Sequence, residues 1–68
     1  MEITILAFEG MTPLDAVGPF EVLGRLPGAQ VSIAARESGP QRSAGGSLAL
    51  LADYALTEVA QPDILLVP

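Results

Sequence analysis

The sequence predicts an α/β protein built on a parallel sheet. Two observations carry that expectation. Residues 3–8 (Ile-Thr-Ile-Leu-Ala-Phe) and 63–67 (Asp-Ile-Leu-Leu-Val) are nearly continuous apolar runs rich in β-branched residues, the pattern of strands buried on both faces. A helix-start signal and a further apolar run, residues 31–36, follow the first strand, giving the order β-α-β that favours a parallel sheet with helices on its faces.

Each element has its own local reason. Residues 9–11 (Glu-Gly-Met) read as a turn. Thr12-Pro13-Leu14-Asp15 then supplies a helix N-cap, a proline at the first helical position and a carboxylate three residues after the cap. The helix is expected to reach about Leu26 and to stop at Pro27-Gly28. The second strand spans residues 31–36, and Glu37-Ser38-Gly39-Pro40 is turn chemistry. Residues 41–43 and 47–51 flank Gly45-Gly46, which suggests a small hairpin. Residues 56–60 make one helical turn, and the last strand covers residues 63–67. There is no internal repeat, low-complexity tract or linker.

Composition narrows the function. The chain has 68 residues, eight acidic and three basic, a formal net charge of −5, and no Cys, His or Trp. No thiol or imidazole nucleophile, zinc-finger set or disulfide framework can be built from it. Three scattered arginines on an acidic chain argue against nucleic-acid binding. No apolar run approaches the ~20 residues of a membrane helix, and no basic segment precedes an apolar one as in a signal peptide. A cytoplasmic location is therefore expected. Charged residues are 16% and apolar residues 50% of the chain, against about 25% charged in an average domain. A small domain needs a polar exterior, so residues 1–68 read as an N-terminal piece of a larger domain. One helix leaves at least one face of the sheet uncovered, which points the same way.

Asp15 is the residue out of place. On an ideal helix of about 100° per residue, Ala16, Pro19, Leu23 and Leu26 fall within roughly 100° on one side of it, and Val22 about 20° away on the other. Glu21 and Arg25 occupy the opposite arc as an i,i+4 pair. Asp15 is thus expected inside the apolar stripe, where a carboxylate is costly unless paired, hydrogen-bonded or protonated. Such acids at the start of a helix that follows a strand are site candidates. Pro19 cannot donate to the Asp15 carbonyl four residues back; either the first turn is kinked or Gly18 caps a helix that begins at Pro19. An ordinary capping-box role also fits Asp15. Gly18 is the accompanying candidate substrate contact, although Gly before Pro more often serves as a turn or kink device. Gly45-Gly46 matches neither GxGxxG nor a P-loop. Ser43 and Ser47 have no His partner, Phe8 and Tyr54 suit a core, and Glu9 reads as a solvated turn acid at the ligand edge.

Residues 8–23, Phe-Glu-Gly-Met-Thr-Pro-Leu-Asp-Ala-Val-Gly-Pro-Phe-Glu-Val-Leu, resemble the N-terminal stretch of the ThiJ/PfpI superfamily, and in particular the Leu-Asp-x-x-Gly-Pro-x-[Glu or Asp]-Val-Leu pattern of its isonitrile hydratase-like branch. Gly39-Pro40 before the small β excursion, and residues 62–68 (Pro-Asp-Ile-Leu-Leu-Val-Pro), which look like the strand leading to that family's Pro-Gly-Gly turn, extend the resemblance over essentially the whole chain. It implies the N-terminal part of a flavodoxin-like (class I glutamine amidotransferase-like) domain, usually a homodimer, whose nucleophilic cysteine stands at an elbow after a later strand.

In the hydratase branch, the acid matching Asp15 lies beside that cysteine and serves acid/base chemistry. The reaction hydrates a small-molecule isonitrile to an N-substituted formamide, with no metal or organic cofactor. The 68 residues contain no such cysteine, so this chain alone is expected to be inactive and poorly stable. The alternative is the ThiJ/PfpI-like sensor domain of an AraC-type transcription regulator, which shares the Leu-Asp-x-x-Gly-Pro-x-Glu-Val pattern but commonly continues through an Ala-Asn pair and a longer loop. Residues 23–31 instead turn directly into the next strand. Chaperone-, protease- and glyoxalase-like branches usually carry Glu at the acid position, and Asp15 argues against them.

Overall fold

The computed structural model describes residues 1–68. Strands β1 (Glu2–Leu6), β2 (Gln30–Ala35), β5 (Tyr54–Ala55) and β6 (Ile64–Leu66) form one sheet in the order β5-β2-β1-β6, with every pairing parallel. Helix α1 (Leu14–Leu23) connects β1 to β2. Strands β3 (Gly39–Arg42) and β4 (Ala49–Ala52) form a separate antiparallel hairpin, and a single 3-10 turn, η1 (Leu56–Glu58), precedes β6. The expected α/β class and parallel sheet are present.

Register follows from side-chain alternation. Ile3 stands beside Val31 and Ile64, and Ile5 beside Ile33 and Leu66, so these residues share one face. Ala16 and Phe20 of α1 pack against that face, joined by Ala7, Met11, Ala35, Leu50 and Ala52. The opposite face carries Thr4, Leu6, Ser32, Ala34, Tyr54 and Leu65 by the same alternation. Helix α1 does not reach it, and Tyr54 and Leu65 stay about half exposed. One face of the sheet therefore lacks the helical layer that a parallel sheet ordinarily has on each side.

Element ends differ from expectation for local reasons. Strand β1 stops at Leu6 because Gly10 (φ 85°) turns the chain; Phe8 is 42% exposed rather than in the core. Helix α1 ends at Leu23, not near Leu26. The Gly24 N–H still bonds the Phe20 carbonyl, after which Arg25 and Leu26 donate to Val22 and Leu23, three residues back, the tightening common at helix ends. Gly46 (φ 77°) makes the expected hairpin turn, closed by Ser43 N–H to the Leu48 carbonyl at 2.7 Å. Strand β5 has no counterpart in the sequence reading: two residues are too few to show a period.

The helix start is also different. Thr12 makes no side-chain cap, and no capping box forms at Asp15. Pro13 precedes the helix in helical conformation (φ −56°, ψ −34°), and its carbonyl accepts from both Ala16 and Val17. The helix runs on through Pro19, so of the two possibilities the interrupted ladder holds and Gly18 is not a cap.

Candidate functional site

Three elements meet at the carboxyl end of the sheet: the loop from β1 into α1, the end of β2, and the β3–β4 hairpin. In open α/β sheets this is the edge where ligands bind. A cleft of about 720 Å³ lies there, lined by residues that include Leu6, Phe8, Glu9, Arg36, Glu37 and Gln41. Its size is within the ~300–1,000 Å³ of small-molecule sites. The Gln41 amide donates to the Glu37 and Gly39 carbonyls at 3.1 and 3.2 Å and fixes the turn that forms one wall. A smaller hollow, about 250 Å³, lies at the opposite end, beside Glu2, Gln30 and Glu58.

Asp15 occupies the first turn of α1, at the same end of the sheet as the cleft, but neither it nor Gly18 lines the cleft. Its burial in the apolar stripe is corrected by the structure. Ala16 is the only buried residue of the helix, and Phe20 packs beside it. The covered stripe is thus centred about 100° away from Asp15 around the helix axis. Asp15 and Val22 lie at its margin and are exposed, as are Leu14 and Val17. Of the five apolar residues expected around Asp15, Val22 and Leu26 are exposed. The Asp15 N–H is held by the Thr12 carbonyl at 3.0 Å, while its carboxylate takes part in none of the side-chain hydrogen bonds. It is an acid fixed by its backbone and unengaged at its tip. Gly18 is helical, and a Cβ built on it would touch nothing within 4 Å beyond its own chain neighbours and the backbone of its helix.

Glu9 has a more specific place than a solvated turn acid. Its Oε2 accepts the backbone N–H of Arg42 in β3, while the Gly10 N–H donates to the Arg42 carbonyl at 2.8 Å. The only hint in the sequence was its position just after β1; its partner lies 33 residues away. No group of three or more potential metal-ligating side chains is present, and no helix is long and apolar enough to cross a membrane.

A four-stranded parallel sheet, a β-α-β crossover and an acid-bearing helix start at the carboxyl edge define a flavodoxin-like α/β architecture. The chain is similar to a ThiJ/PfpI family protein from Pseudomonas syringae whose crystal structure superimposes with a TM-score of 0.88 at 32% sequence identity. The match covers 98% of this chain and 28% of that one, and it supports the ThiJ/PfpI superfamily. No family model matches the chain, and no curated protein matches it.

Proposed function

We propose that residues 1–68 form the N-terminal part of a ThiJ/PfpI protein of the isonitrile hydratase-like branch, with Asp15 as its acid/base group. The observation that carries this reading is the Asp15 carboxylate: held at the carboxyl edge of the sheet, exposed, and without a partner among these residues. The exposed apolar side chains of β6, Ile64 and Leu65, suit a strand with further sheet beside it. The short connection between α1 and β2, residues 24–29, supports the hydratase-like branch over the sensor domain of an AraC-type regulator.

The chemistry is an addition of water. The terminal carbon of R–N≡C gains a proton from the acid, and an oxygen nucleophile adds to the same carbon. Loss of a proton from oxygen and gain of one at nitrogen gives R–NH–CHO. Asp15 supplies the first proton and recovers one afterwards, for which a carboxyl group beside a desolvated substrate is suited. A cysteine thiolate outside these residues either acts as electrostatic partner while water adds directly, or adds first to the protonated carbon and is then displaced from the thioimidate by water, leaving as thiolate. The chemistry needs no metal or organic cofactor. The full-length protein acts as a cytoplasmic homodimer on a small-molecule substrate.

The test is Asp15→Asn in the full-length natural protein. Formamide formation should fall by about 10²–10⁴-fold, the usual worth of a general acid, with folding nearly intact. Turnover at the wild-type rate would overturn the assignment. A basic helix-turn-helix segment downstream of residue 68, in place of a Cys followed by Thr or Ser after a strand, would make the regulator the correct reading.

A further inference from the structure

We infer that Glu9 is a positioning residue for Asp15, acting by fastening the β1–α1 loop to the β3–β4 hairpin; this rests on the reading of Asp15 given above. The loop of residues 7–13 alone connects β1 to the helix that carries Asp15, so whatever fixes the loop fixes the acid. Glu9 Oε2 accepts the Arg42 N–H, and the neighbouring Gly10 N–H donates to the Arg42 carbonyl at 2.8 Å. Both backbone groups of one hairpin residue are thereby taken by two consecutive loop residues.

The contact continues along the chain. Met11 pairs with Ser43 in an isolated parallel bridge, its carbonyl accepts the Ala44 N–H at 3.1 Å, and its side chain is 2% exposed. Thr12 follows, and its carbonyl holds the Asp15 N–H at 3.0 Å. Four successive residues, 9–12, thus lead from the hairpin to the acid without a free link. Glu9 itself is exposed, so its side chain adds nothing to the core. The hairpin acquires a function here: it is the platform on which the site loop is set.

The experiment uses three variants of the full-length natural protein. Glu9→Gln keeps an acceptor at the same reach; Glu9→Asp keeps the charge but is one methylene short; Glu9→Ala keeps neither. Glu9→Ala and Glu9→Asp should lower kcat by about tenfold to a hundredfold, as small misplacements of a catalytic group do, a larger effect than any on KM, which Glu9 can also touch as a residue lining the cleft. Glu9→Gln should restore most of kcat. Hydrogen exchange at the Arg42 amide reads the clamp without reference to activity: protected in wild type and Glu9→Gln, accelerated in the other two. Should Glu9→Ala fail to fold, the Asp and Gln pair decides. Full kcat in a variant whose Arg42 amide has lost protection overturns the inference and leaves the Asp15 reading standing. Full activity in Glu9→Asp with loss in Glu9→Gln overturns it too, because charge would then be what matters. Wild-type turnover in Asp15→Asn overturns the site reading itself.

Discussion

Three of the eight acidic side chains accept backbone N–H groups: Glu9 from Arg42, Glu58 from Ala55 and Asp63 from Glu2. None of these was legible in the sequence, and the reasons differ. Glu9 and Asp63 find partners 33 and 61 residues away, beyond any local pattern. Glu58 makes a local bond at 2.8 Å, but its partner is an alanine, which supplies no reciprocal side-chain acceptor and so hides the capping signature. Asp15 was legible as unusual while its surroundings were not. An apolar stripe drawn from a helical wheel has no fixed centre when the helix is apolar nearly all round, as Leu14, Val17 and Val22 make this one. The docking of Ala16 against the sheet sets the rotation, and that is a tertiary fact. Gly18 gives a prediction at the same scale. Its backbone is helical and a Cβ there meets no atom beyond its own chain neighbours and helix backbone, but Pro19 follows, and a side chain before proline disfavours helical backbone. Gly18→Ala should therefore leave the stability of the full-length protein within about 0.5 kcal/mol, the gain in helix propensity being offset, measured as a nearly unchanged urea midpoint. A larger stability loss would mean a neighbour outside these residues, and a raised KM without one would make Gly18 a substrate contact.

At the level of elements, the long strands were readable because a strand buried on both faces of a parallel sheet is apolar at every position. The hairpin was readable from Gly45-Gly46. Strand β5, with two residues, and the exact turn that ends α1 were not, since both are set by hydrogen bonds rather than by composition. Strand β6 shows how a short edge element is held. The Asp63 N–H donates to the Glu2 carbonyl at 2.8 Å and the Asp63 carboxylate accepts the Glu2 N–H at 2.7 Å. This double contact sits just before the first paired residues, Ile3 and Ile64, and pins their register. Asp63→Ala should therefore loosen β6 by about 0.5–1.5 kcal/mol, the net worth of a hydrogen bond whose groups water can reach. Hydrogen exchange at Glu2 and along Ile64–Leu66 should accelerate while the β1–β2 pairing stays protected. Unchanged exchange at Glu2 would show that the carboxylate contributes nothing to the register.

For the molecule as a whole, nine of 68 residues are buried. Leu51, Leu65 and Val67 are each more than half exposed, and only one face of the sheet carries a helix. A core of this extent offsets little of the conformational entropy lost on folding. The 68-residue chain made alone should unfold in urea without a cooperative transition, should associate as its concentration rises, and should not hydrate isonitriles. A sharp two-state transition or measurable turnover would contradict this. The net charge of −5 opposes association only over the short range that salt permits.

The strand order β5-β2-β1-β6 also has a meaning in time. Of these four strands the first to be synthesised is an inner one, and its two neighbours arrive in sequence, β2 from residue 30 and β6 from residue 64. While the chain is being made, β1 and β2 with α1 between them can close as a unit, anchored by the Gln30 N–H to the Met1 carbonyl at 2.9 Å. The other edge of β1 then stays open until Asp63 emerges and captures Glu2. During that interval a continuous apolar strand with unpaired amides is offered to any other extended chain, so the acid at residue 63 ends a period of vulnerability in biosynthesis as well as setting a register.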